Sequence, residues 1–275
     1  MHCSTTTNSM TGGMCVKTSK YGKSPTDVEQ TSLQSEAELP KWRLLYRIAG
    51  VATVAMLILI PVQIAIFTIW PTPKNTTEWF ELFQSSWILG LMHLDFLYII
   101  NNTIVAVMYL AFYFSLRRKN EALMLIALLT GLLGTAAYYS SNPAFEMMSL
   151  SRLFTSSAAE PQRSALLAVG QVLIAQWKGT AFDVYYILSA ICLILIAAVM
   201  FKSAVYGKVM AAIGLSSGIL MLIPSTAGTL GLFFSLASLV PWMVFSAMAA
   251  ARFLRLGSVA SQSELSKIKE ALPMR

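Results

Sequence analysis

The residues of this chain that could bind a ligand are polar side chains set inside long apolar runs. Asp95 and Asn102 are seven positions apart, so a helix places them on nearly the same face, with Tyr98 beside them. Asn101 is rotated by about 100° from Asn102 on that helix. Polar groups inside membrane helices are costly and therefore need a partner or a function. For the asparagines the structural alternative is hydrogen bonding between helices, and for Asp95 it is a buried ion pair or a helix cap.

Four more polar residues lie towards one end of later apolar runs. Tyr138 closes one run and Glu146 follows it, whereas Asp183 begins the next run and Tyr186 lies close to its start. Each residue also has a structural interpretation. A carboxylate at a helix N-terminus is stabilised by the helix dipole, tyrosines are common at membrane interfaces, and Glu146 can be a solvated interfacial charge.

The placement of these residues favours a ligand-binding function. Most of them fall in the outer halves of the apolar runs, whereas the inner halves are almost wholly apolar. We predict an outward-facing polar pocket between the second, third and fourth runs, covered by the segment 142–180. The candidate ligand-binding residues are Asp95, Tyr98, Asn101, Asn102, Tyr138, Glu146, Asp183 and Tyr186.

Counts of the usual ligating residues argue against a metal or a cofactor. His2 and His93 are the only histidines, too few for a bis-histidine haem at membrane depth or a three-histidine zinc site. The three cysteines, Cys3, Cys15 and Cys192, have no metal-ligand spacing, and Cys192 is expected to be a small core residue. No Gly-rich phosphate loop with its lysine is present. We therefore expect neither a metal nor a cofactor.

The composition is that of a membrane protein. Of the 275 residues, 56% are hydrophobic and only 12% are charged, whereas soluble domains carry about 25% charged residues. The net charge of +7 comes mainly from basic residues at the ends of apolar runs and in the tails. Because no basic stripe alternates with aromatic residues, nucleic acid is not an expected partner. Membrane lipid is the expected environment.

Six apolar runs predict an all-α, polytopic membrane helix bundle within residues 41–256. The predicted spans are 44–70, 87–116, 122–140, 182–201, 209–223 and 230–253, of which 209–223 is close to the lower length limit. Short interfacial helices are expected on the outer side, and the segment 142–180 is either interfacial or re-entrant. Residues 1–40 are predicted to be a disordered cytoplasmic tail, and 257–275 a short cytoplasmic helix or tail.

Basic clusters predict the orientation of the spans. Arg117, Arg118 and Lys119 join the second and third runs, and Lys202 and Lys208 lie between the fourth and fifth. With six spans, these clusters and those beside the first and sixth runs fall on one side. The positive-inside rule places that side, and both termini, in the cytoplasm of a cell-membrane protein.

The chain resembles a family of prokaryotic multi-pass membrane proteins, domain of unknown function 4386. The resemblance rests on Arg47-Ile48-Ala49-Gly50-Val51, on residues 181–188 and on the basic turn at 202–208, and it extends over 43–256. It implies the membrane fold and topology. Asp183 and the tyrosines after it match the family pattern. The family brings no established activity, so it implies no reaction.

Three functions remain open. The first is a membrane-embedded binding or transport protein for a small or lipid-like ligand, with Asp95 and Asp183 as charged anchors. The second is an intramembrane enzyme that uses Asp95, Glu146 or Asp183 as acid or base. The third is a structural or regulatory component that acts through its cytoplasmic tails. Gly214 and Gly218 form a G-x-x-x-G that favours close packing within the chain, with a homo-oligomer contact as the alternative.

Overall fold

The computed structural model describes residues 39–271, with side chains over 41–258. Its regular elements are ten helices, and no strand occurs in these residues. The predicted all-α helix bundle is confirmed. The helices are α1 (Leu39–Ile69), α2 (Thr76–Ser85), α3 (Trp87–His93), α4 (Phe96–Leu116), α5 (Glu121–Ser141), α6 (Ala144–Ser156), α7 (Glu160–Trp177), α8 (Thr180–Met200), α9 (Gly207–Leu220) and α10 (Gly228–Ala271).

The chain is a multi-pass membrane protein. Five helical stretches are long and apolar enough to cross a membrane: 41–69, 96–116, 121–156, 160–200 and 228–258. Helix α9 is apolar but has only 14 residues, which is about 21 Å of helix, less than the hydrocarbon core of about 30 Å. The short fifth run of the sequence is therefore a short helix, held between α8 and α10.

The helices of the bundle approach one another closely at glycines. A Cβ atom on Gly131 of α5 would lie 2.6 Å from the ring of Tyr109 and 2.8 Å from Sγ of Cys192. Cys192 is fully buried, so the predicted small core residue is confirmed. Gly50 of α1 makes the same kind of approach to Leu254 of α10. Within a membrane, water provides no hydrophobic driving force between helices, so helix association depends on close packing, which these glycines permit.

The G-x-x-x-G of α9 serves contacts inside the chain. A Cβ atom on Gly214 would lie 2.8 Å from the ring of Phe245 in α10, and one on Gly218 would lie 2.8 Å from Ile194 in α8. Both glycines are buried. The predicted packing within the chain is confirmed, and a larger residue at either position would push α9 away from its neighbours.

Helices α2, α3, α6 and α7 form a separate layer, here called the cap (residues 76–93 and 144–177). It lies at the end of the bundle where α1 ends and α4 begins, and it has its own aromatic core, which includes Trp79, Phe80 and Trp177. The Ser151 hydroxyl donates to the Phe80 carbonyl over 2.8 Å, which ties α6 to α2. Short helices were expected beside the spans, and the structure packs those of the segment 142–180 together with α2 and α3.

The helix boundaries differ from the predicted spans at two places. The second run, 87–116, is two helices separated at Leu94 and Asp95. The sixth continues through Gly257 to Ala271 as one helix, so the segment after Gly257 is not a separate element. Apart from Leu39 and Pro40, where α1 begins, the tail predicted at 1–40 lies outside the described residues.

Candidate functional site

The break between α3 and α4 is built on Asp95. Its φ is +60°, and it is the only non-glycine residue with a positive φ in the described part of the chain. Aspartate tolerates this left-handed conformation better than most residues because its short polar side chain can interact locally. The conformation ends α3 and starts α4 one residue later. The carboxylate of Asp95 is therefore presented at the N-terminus of α4, where the helix dipole favours negative charge.

Side chains from outside the broken helix bind carbonyls at the break. Gln63 of α1 donates from Nε2 to the Met92 carbonyl over 3.0 Å. Asn142 donates from Nδ2 to the Leu94 carbonyl over 2.6 Å. Unsatisfied backbone groups are costly in a membrane, and neighbouring polar side chains commonly satisfy them at helix breaks.

Tyr138 completes this arrangement from α5. It is fully buried and donates its hydroxyl to the Asp95 carbonyl over 3.3 Å. The break is therefore held by residues of the first and third apolar runs and of the segment that follows α5. A break fixed from several elements provides a rigid support for the Asp95 side chain.

A cavity of about 280 Å³, here called the main cavity, lies beside this break between α1, α4, α8 and α10. An apolar cavity of about 150 Å³ is already large enough to hold a benzene molecule. The main cavity therefore has room for a small organic ligand. Its lining residues are Leu59, Ile60, Gln63, Ile64, Phe67, Asp95, Leu97, Tyr98, Asn101, Phe182, Tyr186, Ser235, Leu236 and Leu239.

A second cavity of about 150 Å³, the inner cavity, adjoins the main cavity. Tyr98, Asn101 and Tyr186 line both cavities, and so do residues of α10 such as Ser235. The inner cavity continues along α4 to Tyr109. One face of α4 thus lines a polar and aromatic path that starts at the cap and extends into the bundle.

Asp95 is the only charged residue among the described residues that line the two cavities. Its Oδ2 accepts a hydrogen bond of 2.9 Å from the Trp177 indole N–H, which links the cavity wall to the cap. The nearby Lys178 does not line the cavity; its ammonium lies over the Trp177 ring, 4.8 Å from the ring centre. The main cavity therefore carries an acidic group and no basic one.

Two amide oxygens in the wall of the main cavity have no hydrogen-bond donor. Gln63 is 8% exposed and Asn101 is 5% exposed, and neither Oε1 of Gln63 nor Oδ1 of Asn101 has a partner. The orientation of the Gln63 amide is fixed because its nitrogen donates to the Met92 carbonyl; the other atom of the amide is therefore the oxygen. Buried acceptors without a donor are costly and call for an explanation, such as a water or an ion that satisfies them.

The tyrosine hydroxyls at the cavity pair with one another or with serine. Tyr185 donates to the Tyr98 hydroxyl over 3.3 Å, and the hydroxyls of Tyr186 and Ser235 are 2.6 Å apart. The rings of Tyr98 and Tyr138 meet edge to face at 5.3 Å between centres. These hydrogen bonds hold the tyrosine rings in place in the cavity wall. The hydroxyl groups therefore have partners, whereas the amide oxygens of Gln63 and Asn101 do not.

The structure divides the eight predicted site residues into two groups. Asp95, Tyr98, Asn101 and Tyr186 line the main cavity. The other four do not line either cavity: Asn102, Tyr138, Glu146 and Asp183.

Each residue of the second group has a different environment. Asn102 donates to the Tyr98 carbonyl of its own helix over 3.0 Å, and Tyr138 supports the helix break. Glu146 is exposed on α6. Asp183 accepts a short hydrogen bond from the Thr226 hydroxyl, which fastens the start of α8 to the turn before α10. Of the structural alternatives given for these residues, the exposed position of Glu146 agrees with a solvated charge, whereas Asn102 bonds within its own helix rather than between helices.

The cavity also lies elsewhere than the sequence analysis placed it. The first and sixth apolar runs, α1 and α10, line it, and no residue of the third run, α5, does. Gln63 and Ser235 were missing from the candidate set. The signal for Gln63 was available, because it is an uncharged polar residue in the middle of an apolar run. Ser235 resembles other serines of α10, and only the fold brings it to Tyr186.

The structure does not bring the predicted carboxylates together. Asp95, Glu146 and Asp183 have separate partners and surroundings, and none of them is paired with another. His93 is fully buried and neither ring nitrogen has a partner. It packs against Phe67, with ring centres 5.3 Å apart. Within residues 39–271 no group of three His, Cys, Asp or Glu side chains could hold a metal ion.

Comparison with known proteins yields one match. Residues 44–257 match the family described as "Domain of unknown function (DUF4386)". No curated protein and no solved structure matches the chain. The family description names no activity, so the function has to be argued from the cavity.

Proposed function

Since the chain belongs to the DUF4386 family of membrane proteins, we propose that it binds a small or lipid-like ligand in the main cavity, as a binding or transport protein. The observation that carries this proposal is the pair of buried amide oxygens without donors, at Gln63 and Asn101, in the wall of a cavity of about 280 Å³. A ligand that donates hydrogen bonds would satisfy both.

The character of the walls supports an amphiphilic ligand. Ligand sites are mostly apolar, with a few placed polar groups. Here Leu59, Ile60 and Leu239 provide apolar surface, and Asp95 and the amides provide polar groups at the cap end. A molecule with one polar head and an apolar body fits both parts of the wall.

The rim of the main cavity supports entry from the lipid. Ile64 of α1 and Leu236 of α10 line the cavity and are 47% and 60% exposed. In a membrane protein, exposed apolar side chains of spanning helices face lipid. A lipid-like ligand could therefore pass between α1 and α10 with its apolar body in contact with the acyl chains.

The orientation of the protein is part of the proposal. We place it in the cell membrane with both termini in the cytoplasm and the cap outside. The support is the basic turn of Arg117, Arg118 and Lys119, which joins α4 to α5 at the end of the bundle opposite the cap. Basic residues in such short loops favour the cytoplasmic side.

A cavity-filling substitution tests the ligand site. The full chain in phosphatidylcholine nanodiscs would be titrated with hexylamine, hexanol and hexanoate while its thermal unfolding is followed. We expect at least one probe to raise the Tm saturably, because a ligand that binds the folded state stabilises it. Leu239→Trp, which fills the shared wall of the two cavities, should abolish that rise.

Leu232→Trp is the matched control. Leu232 lies on the same helix and is 54% exposed, so a tryptophan there meets lipid and leaves the cavity open. The control should respond to the probe like the unmodified protein. If no probe raises the Tm, or if both tryptophan variants respond alike, the ligand site is not the main cavity.

A further inference from the structure

We infer that the ligand of the main cavity is an organic cation, an amine or ammonium group on a short apolar body. This inference rests on the proposed function and specifies its ligand class. It follows from three independent properties of the cavity wall: its charge, its rings and its unpartnered acceptors.

The charge of the wall selects a cation. Asp95 contributes a carboxylate, and no lysine, arginine or histidine is among the described lining residues. The indole of Trp177 binds Oδ2 of this carboxylate but is neutral. Lys178 acts on Asp95 electrostatically but does not line the cavity, so no cation faces the carboxylate from inside the cavity. A charge held within a membrane protein is costly unless it is paired, and a ligand cation would supply the missing partner.

Aromatic rings line the cavity on several sides. Phe67 comes from α1, Tyr98 from α4, and Phe182 and Tyr186 from α8. The faces of such rings attract ammonium groups, and several rings together form the cages that bind quaternary ammonium ligands. The rings of Phe182 and Tyr186 lie 5.2 Å apart at a tilt of 42°, so they present a folded aromatic surface rather than a flat one.

The unpartnered acceptors complete the match. The oxygens of Gln63 and Asn101 need donors, and a protonated amine is a group with up to three donors and no acceptor. An anionic head would instead meet a carboxylate and two carbonyl oxygens. An anion is therefore the ligand class that this wall opposes most strongly.

A bare metal ion fits the cavity less well than an organic cation. Hard cations are held in cages of about six to eight oxygens at 2.3–2.6 Å, whereas most of this wall is carbon, over a volume of about 280 Å³. An apolar organic body would fill the space and contact the apolar part of the wall. The cationic head group alone would bind the carboxylate and amide oxygens.

Three six-carbon probes that differ in the head group test the inference. Hexylamine is cationic at pH 7, hexanol is neutral and hexanoate is anionic. In phosphatidylcholine nanodiscs, we expect the midpoint concentration for raising the Tm to be at least tenfold lower for hexylamine than for hexanol, with no saturable effect of hexanoate. Asp95→Asn should reduce the preference for hexylamine over hexanol to below threefold.

Two further variants separate the charge from general damage to the fold. Asp183→Asn removes the carboxylate that is bound to Thr226 and should leave the tenfold preference unchanged. Phe67→Leu removes one ring of the wall and should weaken hexylamine severalfold while hexanol changes little. This variant tests the inference even if Asp95→Asn does not fold.

The outcomes distinguish the two proposals. If hexanol binds as tightly as hexylamine and Leu239→Trp abolishes both responses, the ligand site stands and the cationic class is wrong. Tighter binding of hexanoate would also refute it. A Tm that rises with NaCl but not with N-methylglucamine chloride, and only with Asp95 present, would assign the site to a metal ion. If no probe acts, both proposals fail.

Discussion

Asp95 combines two roles that depend on different atoms of one residue. Its backbone adopts a positive φ and interrupts the helix, and its carboxylate supplies the charge of the main cavity. Asparagine preserves the first role, because it also tolerates the left-handed region, and it keeps an oxygen for the Trp177 indole. Alanine preserves neither. Substitutions at this position can therefore separate the geometry of the break from the charge of the cavity.

The first prediction concerns stability at this residue. Asp95→Ala should lower the free energy of unfolding by about 1–2 kcal/mol relative to Asp95→Asn, because a left-handed alanine costs about that much. Thermal unfolding of both variants in the same detergent measures the difference as a lower Tm for alanine. Equal values would mean that the break relaxes to another conformation without Asp95.

A second residue-scale prediction concerns Asn142, which holds the break from outside. Asn142→Ala removes the donor to the Leu94 carbonyl and the acceptor of the Ala144 N–H. Hydrogen bonds between membrane helices are typically worth about 0.6 kcal/mol, so a loss of about 1 kcal/mol is expected from the two together. Ser140→Ala, at an exposed residue of α5 whose hydroxyl bonds only to the Ala137 carbonyl of its own helix, is the control and should change the Tm little, because the substitution leaves the Ser140 carbonyl in place. A similar Tm drop in both variants would contradict this role.

The sequence predicts part of the site at this scale, and the reason for the rest is geometric. Asp95, Tyr98, Asn101 and Tyr186 were identified because polar residues in apolar runs need an explanation. Asn102 could not be separated from Asn101 by residue type. The rotation of about 100° between them decides that Asn101 meets the cavity, and the rotation of α4 depends on its neighbours.

At the scale of elements, the second apolar run shows that a run long enough for one helix can contain a helix break. Residues 87–116 meet the length requirement for one helix, yet they form α3 and α4. The break depends on donors from Gln63, Tyr138 and Asn142, which are 29 or more residues away from the carbonyls they bind. These donors lie outside the run, so its sequence pattern does not show the break. The run therefore predicts that the chain crosses the membrane, but not that it does so as one unbroken helix.

The third prediction tests the close contact between α5 and α8. Gly131→Leu should destabilise the bundle by about 1–3 kcal/mol, the usual cost of overpacking, because a side chain there meets Tyr109 and Cys192 at 2.6–2.8 Å. Ala136→Leu is the matched control, since Ala136 is exposed on the same helix. The Tm in detergent should fall for the first variant only. A fall in both would locate the effect in helix α5 itself.

The fourth prediction concerns the attachment of α7 to the cap. Gly170 is buried against Thr76 and Phe80 of α2, so Gly170→Leu should separate the two helices. Amide hydrogen exchange in α7 should then become faster, because local opening governs exchange, while exchange in α5 stays unchanged. Val172→Leu, at a position 65% exposed, should leave exchange in α7 unaltered. Unchanged exchange in Gly170→Leu would show that α7 is held by other contacts.

At the scale of the whole molecule, the protein has two hydrophobic cores, one in the bundle and one in the cap. The larger core lies in the bundle and includes Met108, Phe112 and Phe245, whereas the smaller aromatic core lies in the cap. The main cavity lies where they meet, and the Asp95–Trp177 hydrogen bond crosses that boundary. Composition and run length predict the bundle, because lipid exposure imposes them. The cap is harder to predict, since its helices are short and become stable only when they pack on one another.

The last prediction concerns the topology, and it follows from the position of the basic turns relative to the cap. The turn of Arg117, Arg118 and Lys119 lies opposite the cap. The beginning of α1 and the C-terminal end of α10 lie on that same side. Translocating such clusters is unfavourable, so the cap should be outside. In a background without Cys3, Cys15 and Cys192, single cysteines at Ala158 and Ser258, both exposed positions, would be treated with an impermeant maleimide.

Intact cells should label the Ala158→Cys variant, because Ala158 lies between the cap helices α6 and α7. The Ser258→Cys variant should label only after the membrane is permeabilised, because Ser258 is the last residue of the apolar stretch of α10, at the end of the bundle opposite the cap. Permeabilised cells thus provide the control that each cysteine is reactive. Labelling of Ser258→Cys in intact cells, with Ala158→Cys protected, would invert the molecule and put the cap in the cytoplasm. The acidic wall and the entry between α1 and α10 would then be unchanged, but any ligand would reach the cavity from the inner leaflet.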